Sequence, residues 1–346
     1  MTLETFINSM PKVELHVYLE GAVSKDILSM IADQNEIPTT VKHFQDWLNL
    51  VTKPDFKRLN DLIKMTCGWL QMVDDLTRVV YELGVALHKQ NVVYAEVSVN
   101  PLLYTGLNLT MEDFMAAVHD GRERARRAWG IEMAWIVTLP RDEPRRADEI
   151  ARFVTTATAR RYHVVGLGLS GNENAQPAGQ FERAFKLVEK KDVPRIVRAG
   201  DQAGLDGVQK AFEVLMPSRI VDGRGAWESS ELMARLVDQQ VPVCVSPRRV
   251  LVHGWAAKLA DYPLRKLYDE GITLIIGADM PTFYGSLSTQ YRLLVEQGGF
   301  TTDELEDIAL AAVRMSYLPD EDKAALERRF RDRYAQIRAE HLPQMA

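Results

Sequence analysis

The chain has 346 residues, 46% hydrophobic and 26% charged, with a formal net charge of −6. This supports a sizeable core, and the acidic balance, without a dense Lys/Arg block, argues against nucleic acid as a partner. The only cysteines, Cys67 and Cys244, are too few for a secreted disulfide scaffold.

The acidic N-terminus, Met1-Thr2-Leu3-Glu4, lacks a signal-peptide charge pattern. No apolar run reaches the roughly 18 residues that span a bilayer. The expected setting is a reduced cytoplasm, with no membrane partner.

In chain order, residues 13–19 read as a buried strand that ends in a turn before a helix at 24–34. His16 and Tyr18 near its end point to the same side, because side chains alternate with a period of two. A larger helical insertion is expected from about 44 to 90, and Cys67 within it reads as packing. Further strands are expected at 92–99, 133–139, 164–169, 195–199, 219–221, 241–245 and 273–276. Most are continuous Val- and Ile-rich runs, as strands buried on both faces are.

Helices are expected between the strands, at 110–129, 145–160, 179–190, 204–215, 228–238 and 263–270. The first carries Glu112 and Asp113 in its opening turn. The basic runs 122–127 and 328–331 read as solvated helix faces. The tail, from about 302 to 341, reads as two or three more helices.

Eight strand–helix units predict an α/β fold: a (β/α)8 TIM barrel over residues 1–346, one domain, with a helical insertion after strand 1 and C-terminal helices. A doubly wound sheet would need a glycine-rich phosphate turn early in the chain, and Leu19-Glu20-Gly21-Ala22 is not one. In a barrel the working residues sit at the C-terminal ends of the strands. Those ends carry His16 and Tyr18, then Ser170 to Glu173, Arg198 and Asp201, Asp222 and Arg224, Cys244 with Ser246, Arg248 and Arg249, and finally Asp279 and Met280.

The segments Pro11-Lys12-Val13-Glu14-Leu15-His16-Val17-Tyr18-Leu19-Glu20-Gly21, Tyr94-Ala95-Glu96-Val97, Gly166-Leu167-Gly168-Leu169-Ser170-Gly171-Asn172-Glu173 and Pro281-Thr282-Phe283 occur in this order. Together they resemble the adenosine/adenine deaminase family, a group of metal-dependent hydrolase barrels. The resemblance implies a zinc ion on three histidines and one aspartate. It also implies a glutamate that handles protons at the purine and a sixth-strand histidine that helps activate water.

Against that pattern, His16 and Asp279 match metal-binding positions. Tyr18 and Arg198 replace the other two metal-binding histidines. Asp201 stands at the glutamate, Asp222 at the sixth-strand histidine, and Met280 at an acidic neighbour of the aspartate. Ser246-Pro247-Arg248-Arg249-Val250 departs from the family's Cys-Pro-Thr-Ser-Asn type of segment.

Zinc catalysis needs about three protein ligands and an open position. The expectation is therefore no bound metal or other cofactor, with His16 and Asp279 as vestigial ligands, and little or no purine deamination. The replacements cluster at the barrel mouth while the scaffold segments follow the family, which points to a site remade by repurposing or redesign.

A small-molecule ligand is expected in the mouth. Tyr18, Gly171, Arg198 and Met280 are its candidate contacts, and Gly171 stands where the family's backbone meets the purine. A homo-oligomer is also allowed. Arg198 is expected to pair with Asp222, Asp279 or Asp201, or to bind an anion together with Arg224, Arg248 and Arg249. Metal-free chemistry has two candidate forms. One uses Asp222 or Asp279 as a general base, and the other uses Cys244 with His16 as nucleophile and base on an ester. Residual metal-dependent deamination is the third reading. The remaining histidines (His43, His88, His119, His163, His253 and His341) show no metal-ligand spacing.

Overall fold

Residues Lys12–Tyr18 form β1, and all seven are buried. A strand survives with no exposed face only where its sheet is covered on both sides, as in a closed barrel ringed by helices. The computed structural model describes residues 2–36, 49 and 58–341. Among these, β1 is followed by β2 (Val92–Val99), β3 (Glu132–Pro140), β4 (Val164–Ser170) and β5 (Arg195–Ala199). The sheet continues through β6 (Arg219–Asp222), β7 (Val243–Val245) and β8 (Leu274–Ile276).

The strands lie in sequence order and every adjacent pair is parallel. The barrel closes where Val17 bridges Asp279. The Asp279 N–H donates to the His16 carbonyl at 2.8 Å, and the Tyr18 N–H donates to the Asp279 carbonyl at 2.8 Å. Closure thus places two strand ends distant in sequence side by side. Glu14 reinforces it, accepting the N–H groups of His16 at 2.8 Å and Ala278 at 3.0 Å.

The helices follow the expected alternation, with local differences. Leu3–Ser9 is α1 and Lys25–Gln34 is α2. Residues 44–57 of the expected insertion, apart from 49, lie outside the described residues, as does His43. The remainder forms α3 (Leu59–Gly68) and α4 (Val73–His88), with Cys67 in the core. Next is α5 (Met111–Trp129), capped by Thr110 and ended by Gly130 at φ +69°.

The single helix expected at 145–160 is two, α6 (Ala147–Val154) and α7 (Ala157–Arg161). Thr156 divides them, because its hydroxyl accepts the Ala159 N–H at 3.1 Å and starts a new helix. After α8 (Glu182–Glu189), α9 (Gly204–Leu215) and α10 (Ser230–Asp238) comes a short helix that periodicity did not reveal, α11 (Pro247–Val252). Then follow α12 (Leu264–Asp269), α13 (Pro281–Tyr284), α14 (Leu287–Gly298), α15 (Thr302–Arg314) and α16 (Asp320–His341). Among the described residues, no helix is long and apolar enough to cross a membrane.

The lower barrel, toward the strand N-termini, holds a buried ion pair. Arg219 Nη1 lies 2.7 Å from Glu96 Oε2, and both residues are 0% exposed. Arg219 also donates to the carbonyls of Leu15 at 3.0 Å and Met315 at 2.9 Å, beneath the Tyr317 ring. Two backbone carbonyls and one carboxylate, from three distant parts of the chain, therefore meet one guanidinium.

Candidate functional site at the barrel mouth

The C-terminal ends of the strands surround a cavity of about 550 Å³. Tyr18, Arg198, Arg249, Asp201 and Met280 line it from the barrel side, and Gly171, Asn172 and Gln202 from the loops. Glu20, Asn100, His253 and Trp255 complete much of its polar and aromatic wall. Its size and mixed lining suit a small organic ligand.

Beneath the cavity runs a chain of buried charges. Arg198 Nη2 donates to Asp279 Oδ2 at 2.9 Å, and Arg198 Nη1 lies 3.4 Å from Asp222 Oδ2. Arg249 donates through Nη1 to Asp222 Oδ2 at 2.5 Å and through Nη2 to Asp201 Oδ2 at 2.9 Å. Its Nε stands 3.3 Å from Asp279 Oδ2. His16 Nε2 is 3.6 Å from the same oxygen, too far for a hydrogen bond.

Arg198 thus pairs with Asp279 and Asp222, while the expected third partner, Asp201, pairs with Arg249. Of the arginines named for anion binding, Arg198 and Arg249 line the cavity and Arg224 shares the Trp255 ring with Arg249. Arg248 is exposed, and Arg224 lies over the Trp255 ring and donates to the Asp201 carbonyl at 3.3 Å. Arg249 is committed to carboxylates and also lies over Trp255, at 4.8 Å.

Local structure holds each group in place. The Arg198 carbonyl accepts from Arg141 Nη2 at 3.0 Å. Glu173 accepts the N–H groups of Gly200, Gln202 and Ala203, which fixes the turn that carries Asp201. Gly200 has φ +86°, and a Cβ there would meet the Arg224 carbonyl at 2.4 Å. Asp222 and Asp279 also take left-handed backbone, at φ +70° and +58°. For a non-glycine residue this conformation costs about 1 kcal/mol, and here it turns both carboxylates at the strand ends. Gln290 accepts the Arg248 N–H at 2.8 Å at the start of α11, the turn that brings Arg249 inward.

Burial opposes ionisation of Asp279, but Arg198, His16 and Arg249 outweigh it and hold the carboxyl well below its usual range. Asp201 is likewise lowered: burial opposes, and Arg249 and Arg198 prevail. Burial pushes the Tyr18 phenol up to about 12, with Arg198 working against it. The Tyr18 ring carries the Arg198 guanidinium at 5.1 Å and meets His16 edge-on at 5.5 Å.

The roles expected of Asp222, Asp279 and Cys244 meet geometric obstacles. Neither aspartate reaches the cavity, because the two guanidiniums lie between. Cys244 does not line it either. Its thiol is 0% exposed and is pushed up to about 12 by burial, with Arg219 opposing and Glu14 and Glu96 adding. The expected nucleophile–base pair with His16 therefore lacks both a thiolate and access to a ligand.

Two groups escaped the sequence reading. Glu20 lines the cavity, accepts the Asn100 N–H at 2.6 Å and has its carboxyl raised to about 7 by burial. His253 bonds Tyr284 Oη at 2.8 Å, and burial followed by Arg249 lowers its imidazole to about 4. The Leu19-Glu20-Gly21 turn was a usable signal for Glu20, and Gly21 is required there because a Cβ would stand 2.3 Å from Met280 Cγ.

A family model described as adenosine deaminase matches residues 11–333. The chain is 26% identical to an aminodeoxyfutalosine deaminase of Streptomyces coelicolor over 94% of this chain and 84% of that protein. It is 27% identical to an adenosine deaminase of Haemophilus ducreyi, over 94% and 97%. Among solved structures, an amidohydrolase of Burkholderia ambifaria with bound Zn superposes with a TM-score of 0.86 at 25% identity, over 97% of this chain and 94% of that one. The adenine deaminase of Arthrobacter aurescens superposes with a TM-score of 0.85 at 24% identity, over 93% and 98%, which bears on the fold alone.

Proposed function

Because the chain belongs to the adenosine deaminase family, we propose that its barrel mouth binds a purine-class small molecule without the family's zinc-dependent hydrolysis. The observation that carries this reading is the buried Arg198 guanidinium bonded to Asp279, at a position where the resemblance would imply a metal-binding histidine.

The donor set supports it. His16 Nε2 and Asp279 Oδ1 are buried without hydrogen-bond partners, and their residues are the two that match metal-binding positions in the resemblance. A catalytic zinc site needs about one protein ligand more. Tyr18 stays a phenol at neutral pH, and Arg198 and Arg249 set two fixed positive charges beside Asp279. The residues present do not fit zinc, so no hydrolytic step is assigned through it.

Ligand binding has its own support. The cavity offers the Gly171 backbone, the amides of Asn100, Asn172 and Gln202, and the Trp255 ring. Hydrogen-bonding edges beside an aromatic face suit a heteroaromatic base. The guanidiniums of Arg198 and Arg249 at the floor are both bonded to carboxylates. Asp279 and Asp201, both held low, are weak bases, which disfavours metal-free proton abstraction at this floor.

The test is a deamination assay on adenosine and adenine, with and without added zinc, beside calorimetric titration with adenosine and inosine. The expected result is nucleoside binding with no turnover in either condition. Zinc-dependent turnover that disappears in Asp279→Asn would overturn the reading, as would absence of nucleoside binding.

A further inference from the structure

On the outer wall of the barrel, α5 brings His119 and Glu123 to one face. Their spacing of four residues makes them neighbours on a helix. His163 reaches the same place from the residue before β4, held in left-handed backbone at φ +61°. The His163 carbonyl accepts the Trp135 N–H at 2.9 Å, which ties this residue to the edge of β3.

The two imidazoles lie stacked, with centroids 5.5 Å apart and planes 18° from parallel. Each of the three residues offers a ligand atom, and these atoms all lie within 4.8 Å of one another. Among the described residues, this is the one group of three or more such side chains so arranged. His119 Nδ1 is buried and makes no hydrogen bond. A buried polar atom left without a partner is costly.

We propose that His119, Glu123 and His163 form a peripheral site for a late first-row divalent ion, with zinc as the natural occupant. Two imidazole nitrogens and one carboxylate oxygen, with a fourth position open to solvent, suit zinc or nickel. Calcium and magnesium prefer all-oxygen shells.

Burial lowers both imidazoles, with Glu123 opposing at His119 and Arg122 adding at both. The Arg126 hydrogen bond lowers Glu123 and keeps it ionised. Arg122 and Arg126 both bond Glu123 now. Zinc on Glu123 would have to displace Arg126, which is 43% exposed, while the buried Arg122 stays beside the site, held also by Glu132 and the Met133 carbonyl. A bound ion would clamp the middle of α5 to the start of β4.

This site is independent of the reading of the barrel mouth, and one set of variants separates the two. Chelator-stripped protein is titrated with zinc chloride by calorimetry. Cobalt chloride then serves as an optical probe of coordination. The expected result is one equivalent of zinc, weakened at least tenfold in His119→Ala and in His163→Asn and unchanged in Asp279→Asn. Asparagine suits the left-handed backbone at 163, and circular dichroism checks the fold of each variant.

No zinc uptake at 100 μM would overturn the proposal. So would uptake unaffected by both histidine variants. Uptake lost only in Asp279→Asn would overturn it and return a metal to the mouth.

Discussion

The barrel buries charge at two levels, and the two arrangements differ in redundancy. In the lower barrel a single carboxylate, Glu96, meets a single guanidinium, Arg219. At the mouth, Asp201, Asp222 and Asp279 share Arg198 and Arg249, and His16 stands beside Asp279. Removing one partner from an isolated buried pair strands the other. Removing one from a shared network beside a cavity leaves neighbours, and water from the cavity, to take over. The lower pair is thus a structural element with little tolerance, whereas the mouth network tolerates change and lies under a ligand space.

The strongest way to break this comparison is Arg219→Met. It leaves Glu96 buried without a counter-charge and should cost roughly 3–5 kcal/mol, read by urea denaturation. Arg198→Met should cost less, about 2 kcal/mol, because Asp279 keeps Arg249 and His16. Equal losses in the two variants would remove the claim of redundancy.

Glu20 sharpens the contrast through pH. Its carboxyl is raised in the folded state to about 7, so the native protein binds more protons than the unfolded chain. Its contribution to stability is complete below the ordinary carboxylate pKa, near pH 4, and declines as pH rises toward 7. Glu20→Gln keeps an acceptor for the Asn100 N–H and should flatten that decline by on the order of 1 kcal/mol. An unchanged slope from pH 5 to 7 would show that Glu20 is ordinarily ionised. For Asp279 the sign is opposite: its depressed pKa adds stability above about pH 4, lost only as acid brings the pH down toward the folded value.

The smallest effect is expected at the rim. Lys64 and Asp142 pair at 3.3 Å with about half of each side chain exposed. Lys64→Ala should change stability by less than about 0.5 kcal/mol, and less still at high salt. A loss comparable to that of Arg198→Met would mean that exposure does not separate the mouth network from its surroundings.

Much of the site could be read along the chain. His16, Arg198, Asp222 and Asp279 were each expected at strand ends, and the barrel brings them together. Arg249 was expected at the end of the seventh strand beside Arg248, as a candidate anion contact rather than as a partner of the aspartates. Whether it or Arg248 turns inward depends on α11, a helix of six residues that is too short to show a period. Cys244 shows the opposite limit. Its spacing before Ser246 was compatible with the mouth, but spacing along a strand cannot tell how deep a side chain lies in the barrel. The pairing of His119 with His163 was hidden because the two come from different elements.

What the sequence by itself determined is the eightfold alternation of buried strands and amphipathic helices, and with it the barrel and the residues at its mouth. Burial on both faces and helical periodicity are local properties, written in neighbouring residues. What only the tertiary structure decided is which charge meets which. Arg198 and Asp279 are 81 positions apart and touch because the closing of β8 onto β1 fixes their distance. Coulomb energy depends on that distance and on burial, and neither is contained in the order of residues alone.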